Sequence, residues 1–230
     1  MAETKIHKNY FLYNSLKYFR GKAENVEIGA YGQKKTPFAD NPYLAVQANV
    51  KREHLKGRVR WVTESAIDWN RQTKADVEAN GQLRYFTLEA SGASRASFEQ
   101  AKSARLKLVK FAINEGPLTA MLNNDAGGAR NYLKDEGADG RIVSEVWVVM
   151  EGALAETFST AATSGGSVSV DVTKAAQLQL TANHSGGARG SATIILAPGT
   201  TFAYLLHKVT KWYKGKTRIE DMEDDSKGLN

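Results

Sequence analysis

The stretch "TSGGSVSVDVTKAAQLQLTA", Thr163–Ala182, decides the reading of this chain. It opens on a Ser-Gly-Gly-Ser turn signal and then alternates. Val168, Val170 and Val172 fall on one face, with Ser167, Ser169 and Asp171 on the other. After Lys174 the alternation resumes, with Leu178, Leu180 and Ala182 against Gln177, Gln179 and Thr181. A period of two is the mark of a strand with unlike faces. The arm before the turn runs back from Ala162 to Glu145 and carries Val146 and Val148. At ~3.3 Å per residue, arms of roughly 16–18 residues reach about 50 Å. A strand that crosses a bilayer needs only about 9–11 residues, and strands of globular sheets average about 5–6. Weak dyad alternation over such a length fits lipid on one side and water on the other. An isolated hairpin leaves its edge N–H and C=O groups unpaired in hydrocarbon, so several copies would have to close a barrel. The plainer reading is a β-rich domain whose strands have one solvated face.

Outward from that hairpin, residues 5–20 ("KIHKNYFLYNSLKYFR") show helical spacing. Leu12, Leu16 and Phe19 form one stripe and Ile6, Tyr10 and Tyr13 another, and Gly21 suits a C-cap. An amphipathic helix is expected there. Short strand-like pieces follow from Asn25 to Val50, broken by the turn signals of "YGQKKTPFADNPY". Within it, Phe38 stands beside Lys34 and Lys35, as suits a loop that offers a ring to a lipid interface and cations to its phosphates; a core plug is the plainer reading. Residues 58–110 have strand texture. A helical zone runs from Pro117 to Gly137, and residues 141–196 are strand-like again. "TTFAYLLHKVTKWYKG" fits either a helical face or a strand. The tail 215–230 is polar and expected to be mobile, which leaves 1–214 as the main domain. The predicted class is α+β: a twisted antiparallel sheet with an N-terminal amphipathic helix, a central helical segment and two long hairpin regions.

With 230 residues, 42% hydrophobic and 24% charged, the chain has enough material for a packed core. No run approaches the ~20 apolar residues of a spanning helix, and the N-terminus lacks a signal-peptide pattern, so a cytoplasmic protein is expected. There is no cysteine, which removes disulfides and thiol chemistry. A net charge of +6 points to an anionic partner. Basic residues gather at the start (Lys5, Lys8, Lys17, Arg20, Lys22, Lys34, Lys35) and near the end (Lys208, Lys211, Lys214, Lys216, Arg218). His7, His54, His184 and His207 have no metal-ligand spacing, and no P-loop, nucleophile elbow or dinucleotide fingerprint occurs. The expectation is a non-enzyme without cofactor or metal.

Two segments resemble the pore-forming N-terminal domain of gasdermins. "GQLRYFTLEASGASRASFEQAKSARLKLV" (Gly81–Val109) is similar to that family's first hairpin and the basic segment after it. "ATIILAPGTTFAYLLHKVTKW" (Ala192–Trp212) is similar to its apolar strand, Pro turn and next strand. The likeness covers roughly residues 5–214, and it favours a strand at Phe202–Tyr213. It implies that the N-terminal element and basic loop meet acidic phospholipid, through Lys5, Lys8, Lys17, Arg20, Lys22, Lys34, Lys35 and Phe38. It also implies that Val146, Val148, Val168, Val170, Val172, Leu178 and Leu180 face lipid in the inserted state. The large inhibitory domain of animal gasdermins has no counterpart here, so the chain is most similar to the short fungal regulator-of-cell-death homologues. That likeness implies a homo- or hetero-oligomer, triggered by an incompatible partner variant, that moves from the cytosol to the plasma membrane; control by proteolysis of the short tail is the alternative. Two other readings remain open. One is a peripheral lipid-binding protein that never inserts. The other is a nucleic-acid-binding module, disfavoured because no recognition motif accompanies the charge.

Overall fold

The computed structural model describes residues 4–7, 9–38, 41–66, 107–150, 201–215 and 217–229. Their centre is a pair of long antiparallel strands, β8 (Gly140–Met150) and β9 (Thr201–Trp212). Each is too long to be matched by one neighbour, so each serves two. The first part of β8 pairs with β4 (Ala30–Lys35), which continues to β5 (Tyr43–Asn49). Its last part pairs with β7 (Lys107–Ala112), which continues to β6 (Arg60–Ala66). The far side of β9 is shared by β3 (Leu16–Phe19) and β10 (Ile219–Asp225). All these ladders are antiparallel, and with two helices beside them the class is α+β as expected.

Residues 5–20 are not a helix. They form a meander of β1 (Thr4–Ile6), β2 (Tyr10–Tyr13) and β3. The turn Asn14-Ser15 has φ of 47° and 68°, and Tyr13 pairs with Leu16 across it. Positive φ at both central residues gives the two-residue hairpin whose twist suits the flanking strands. The five aromatics of this stretch favour a pleated surface over a helix. Pairing sets Phe11 opposite Tyr18, and Phe11, Tyr18 and Phe19 are all buried. A helix would have hidden one stripe and left the other wet. Gly21 is no helix cap either. A Cβ there would lie 2.4 Å from the Pro42 carbonyl oxygen, because Gly21 and Tyr43 form a parallel bridge that brings β5 back toward β3.

The faces of the β8–β9 pair bury different chemistry. On one face Val109, Phe111, Val146, Val148, Tyr204 and Leu206 meet the helices α2 (Glu115–Asn124) and α3 (Gly127–Glu136) through Leu118, Met121, Leu122 and Leu133. These helices match the predicted zone, with Pro117 in the first turn and Gly137 at φ 57° after the last. A shorter helix, α1 (Arg52–Leu55), joins β5 to β6. On the other face the meander packs on Trp147, whose ring lies 5.2 Å from Phe11, 4.7 Å from Tyr13 and 5.9 Å from Tyr18.

Thr201–Trp212 is a strand despite its helical spacing; β9 is buried on both faces for its first seven residues, so no two-fold alternation shows. The tail, expected to be polar and mobile, carries a strand. β10 pairs with β9 from Ile219↔Trp212 to Asp225↔Leu206, with register shifts that set Ile219, Met222 and Asp225 inward. Asn123 on α2 donates to the Ile219 carbonyl (2.9 Å) and accepts from its N–H (2.8 Å), as a neighbouring strand would.

One hydroxyl ties the closing seam. Tyr204 on β9 donates to the Gly21 carbonyl and accepts from the Leu44 N–H, both at 2.9 Å. Burial raises the phenol pKa, so it stays a protonated donor. Tyr204→Phe removes the hydroxyl that both backbone groups bond and should cost about 1–3 kcal/mol in urea unfolding. A change within error of zero would show that the seam does not depend on it.

Candidate basic surface and strand platform

The strand ends are the first element of the site. β6, β7, β8 and β9 lie side by side in that order, with Ala66 opposite Lys107, Lys107 opposite Met150, and Thr201 opposite Val148. Ala66 and Lys107 bracket residues 67–106; Met150 and Thr201 bracket residues 151–200. Both segments therefore attach at the same end of four consecutive antiparallel strands. Val168, Val170, Val172, Leu178 and Leu180 lie outside the described residues, as do the middles of both expected hairpin regions and Lys8.

Val146 and Val148, expected to face lipid in the inserted state, lie in the packed part of β8 here. They are 3% and 5% exposed and belong to the main core, opposite Tyr204 and Thr201. Alternation in β8 sends them toward the helices.

The expected lipid-binding cations divide into two groups. Lys5, Lys22 and Lys35 are exposed. Lys22 sits 3.7 Å above the Tyr43 ring, and Lys35 donates to the Gln33 side chain. Phe38 is fully exposed at the turn between β4 and β5, so it is not a core plug. Lys17, Arg20 and Lys34, by contrast, are engaged within the fold. Lys17 donates to the Leu229 carbonyl (2.6 Å) and lies over the Tyr10 ring. Arg20 donates to the His7 carbonyl (2.6 Å) and lies over Phe202, and burial lowers its pKa to about 10. Lys34 meets the Asp225 carboxylate at 2.9 Å and the Lys227 carbonyl at 2.7 Å.

Asp225 is the centre of this second group. It is 1% exposed and also receives the Arg141 Nε at 2.6 Å. Burial alone would raise its pKa, but hydrogen bonds from Lys34 and Arg141 outweigh that and hold it below the ordinary carboxylate range. Burial lowers the Lys34 pKa in spite of its partner. Arg141, closer at 2.6 Å against 2.9 Å for Lys34, is the firmer partner. The C-terminal segment 219–229 thus occupies three cations from elsewhere in the chain: Lys17, Lys34 and Arg141. Two further pairs, Lys208–Glu223 (2.7 Å) and Lys211–Glu220 (2.6 Å), join β9 to β10.

A second polar cluster lies beneath the meander. Tyr18 donates to Glu145 (2.8 Å), and Lys110 reaches both Glu145 (2.8 Å) and the Tyr18 oxygen (3.0 Å). Burial first, then the Glu145 charge, push the Tyr18 phenol up, so it stays a neutral donor. This triad satisfies itself and ties β3, β7 and β8 together. Arg141, Asp225 and the triad were not singled out in the sequence. Their partners lie in distant segments, and the bulges of β10 give its inward residues a spacing of three instead of two.

Among the described residues no group of three His, Cys, Asp or Glu stands close enough to hold a metal, and no helix is long and apolar enough to cross a membrane.

Asp225→Asn should destabilise the fold at neutral pH by about 3–5 kcal/mol, because two cations stay behind without their carboxylate. The Asp225 pKa is depressed in the folded state, so its contribution is present above the unfolded pKa of ~3.9 and lost as pH falls below it. Denaturant unfolding across pH 2–7 should show a steeper acid limb for wild type than for Asp225→Asn. Identical limbs would contradict the pairing.

Comparison of the chain with protein-family models, with curated proteins and with solved structures found no match.

Proposed function

We propose that this chain is a membrane-permeabilising effector. It docks on acidic phospholipid, oligomerises, and inserts residues 67–106 and 151–200 as β-hairpins of a shared barrel. The observation that carries this reading is the platform: four consecutive antiparallel strands whose register puts the attachment points of both long segments, Ala66, Lys107, Met150 and Thr201, on the same side of the sheet. Hairpins continuing β6–β7 and β8–β9 would extend one sheet without a break in its ladder. The alternation of Val168–Ala182 supplies two unlike faces for such a hairpin. Closure across protomers removes the free edges that hydrocarbon forbids. The gasdermin resemblance points the same way and is part of the proposal, as are the move from cytosol to plasma membrane and triggering by a related variant.

The turn with Phe38 and Lys35 is the first lipid contact in this reading. It lies at the Gly140 end of β8, whereas the two segments leave from the Met150 end. At ~3.3 Å per residue those ends are about 33 Å apart. Contact by both with one bilayer requires β8 to lie along the membrane, with the inserting segments bending into it.

A second mode of control has its own observation. The 219–229 segment holds Lys17, Lys34 and Arg141, so its release would free cations for lipid. Control by removal of this tail therefore stands beside triggering by a partner variant.

Dye release from vesicles tests the reading. Leakage is expected from phosphatidylserine-containing vesicles and not from phosphatidylcholine vesicles, on mixing with a related variant or on truncation after Lys214. Phe38→Asp should reduce leakage at least tenfold with the thermal midpoint unchanged, since the ring touches nothing that folding needs. Vesicle binding without leakage under all these conditions would favour a peripheral lipid-binding protein and end the pore reading.

A further inference from the structure

Between β5 and β6 runs "KREHLKGRVR", Lys51–Arg60, with five Lys or Arg and one carboxylate in ten residues. It forms a firm knuckle. Leu55 and Val59 are buried at 4% and 7%, and they turn the rest of the segment outward. Backbone bonds from His54 N–H to Lys51, Lys56 N–H to Arg52, and Arg58 and Val59 N–H to Leu55 close its turns. Gly57, at φ 74°, takes the left-handed corner. Arg58 is tied to Asp125 at 2.6 Å and Arg60 to the Asn114 side chain, which fix the base of the knuckle against the two residues that flank α2.

The remaining cations point away from the protein. Lys51, Arg52 and Lys56 are exposed. Lys51 has only a loose contact of 3.7 Å with the exposed Glu53. Among the described residues no hydrogen bond or ion pair holds the side chain of Arg52 or Lys56, four apart on one turn. This is the reverse of Lys17, Arg20 and Lys34, which the fold has already engaged. The position matters too. The turn with Lys35 and Phe38 precedes β5 and the knuckle follows it, so the two cationic features stand at opposite ends of one strand. The seven residues of β5 span about 23 Å.

We propose that Lys51, Arg52 and Lys56 form a second contact for anionic phospholipid headgroups, which with the Phe38 turn lays β5 along the membrane. This rests on the docking step of the proposed function. A convex knuckle suits a flat anionic surface. It has no exposed aromatic side chain on which nucleic-acid bases would stack, so a single strand fits it less well. Basic residues at an anionic surface strengthen binding about fivefold each at low ionic strength, an effect that salt removes.

The test is co-sedimentation of the full chain with phosphatidylserine-containing vesicles, comparing wild type with a triple variant (Lys51→Gln, Arg52→Gln, Lys56→Gln) and with the charge-keeping Arg52→Lys, Lys56→Arg. The triple variant should bind about a hundredfold more weakly with a shallower salt dependence, while the charge-keeping variant binds as wild type. All three should melt together, because these side chains touch no core residue. Combined with Phe38→Asp, the losses should multiply. Wild-type-like binding by the triple variant would overturn the second contact and leave the pore reading standing. Loss of binding to a single-stranded oligonucleotide with vesicle binding intact would assign the knuckle to nucleic acid and overturn it equally. A wild-type chain that neither binds nor leaks any anionic vesicle would sink the pore reading itself.

Discussion

The account depends on one backbone constraint, the unbroken antiparallel ladder β6–β7–β8–β9. Its register brings Ala66, Lys107 and Met150 into line, with Thr201 two residues behind. Long non-local pairing of this kind is costly to assemble, and it is held here from both faces. The helices α2 and α3 bury Val146, Phe111 and Val109 on one side, and the aromatic meander covers Trp147 on the other. A sheet packed in this way along its described length can lengthen where residues 67–106 and 151–200 attach without being unmade elsewhere.

Electrostatics separates holding the fold from meeting a partner. Arg141, Lys34 and Asp225 form a buried group that ties the C-terminal strand to β4 and β8. Groups like this are poor contributors to net stability but severe to break. Among the described residues, exposed cations that an anionic surface could meet stand elsewhere, including those at the turn before β5, on the knuckle after it, and Lys5 and Lys22. The division follows burial and does not follow sequence position.

Much of this was legible in the chain. The central helices announced themselves through Pro117 and Gly137, and the exposed Phe38 turn through its flanking lysines and prolines. The meander was not, because Leu12, Leu16 and Phe19 happen to keep helical spacing; Asn14-Ser15 was the signal against it, a turn tolerant of positive φ amid aromatics. β10 was hidden by its bulges, and five acidic residues made it look like a solvated tail. No local pattern could tell that Lys34 is engaged, since its partner Asp225 lies 191 residues away. The knuckle at 51–60 escaped because basic residues were weighed at the two ends of the chain, while its cations depend for exposure on Leu55 and Val59 turning inward.

The most direct measurement uses the absence of cysteine from the chain, which makes single labels unambiguous. An environment-sensitive fluorophore is attached at Val170→Cys or Leu180→Cys, and the assembled protein is examined on phosphatidylserine vesicles. The account predicts a blue shift and quenching by groups carried on the lipid acyl chains, with labels at Ser169 and Gln179 remaining open to aqueous quenchers. Labels at 170 and 180 that stay in water, or that are shielded by protein and untouched by acyl-chain quenchers, would contradict it.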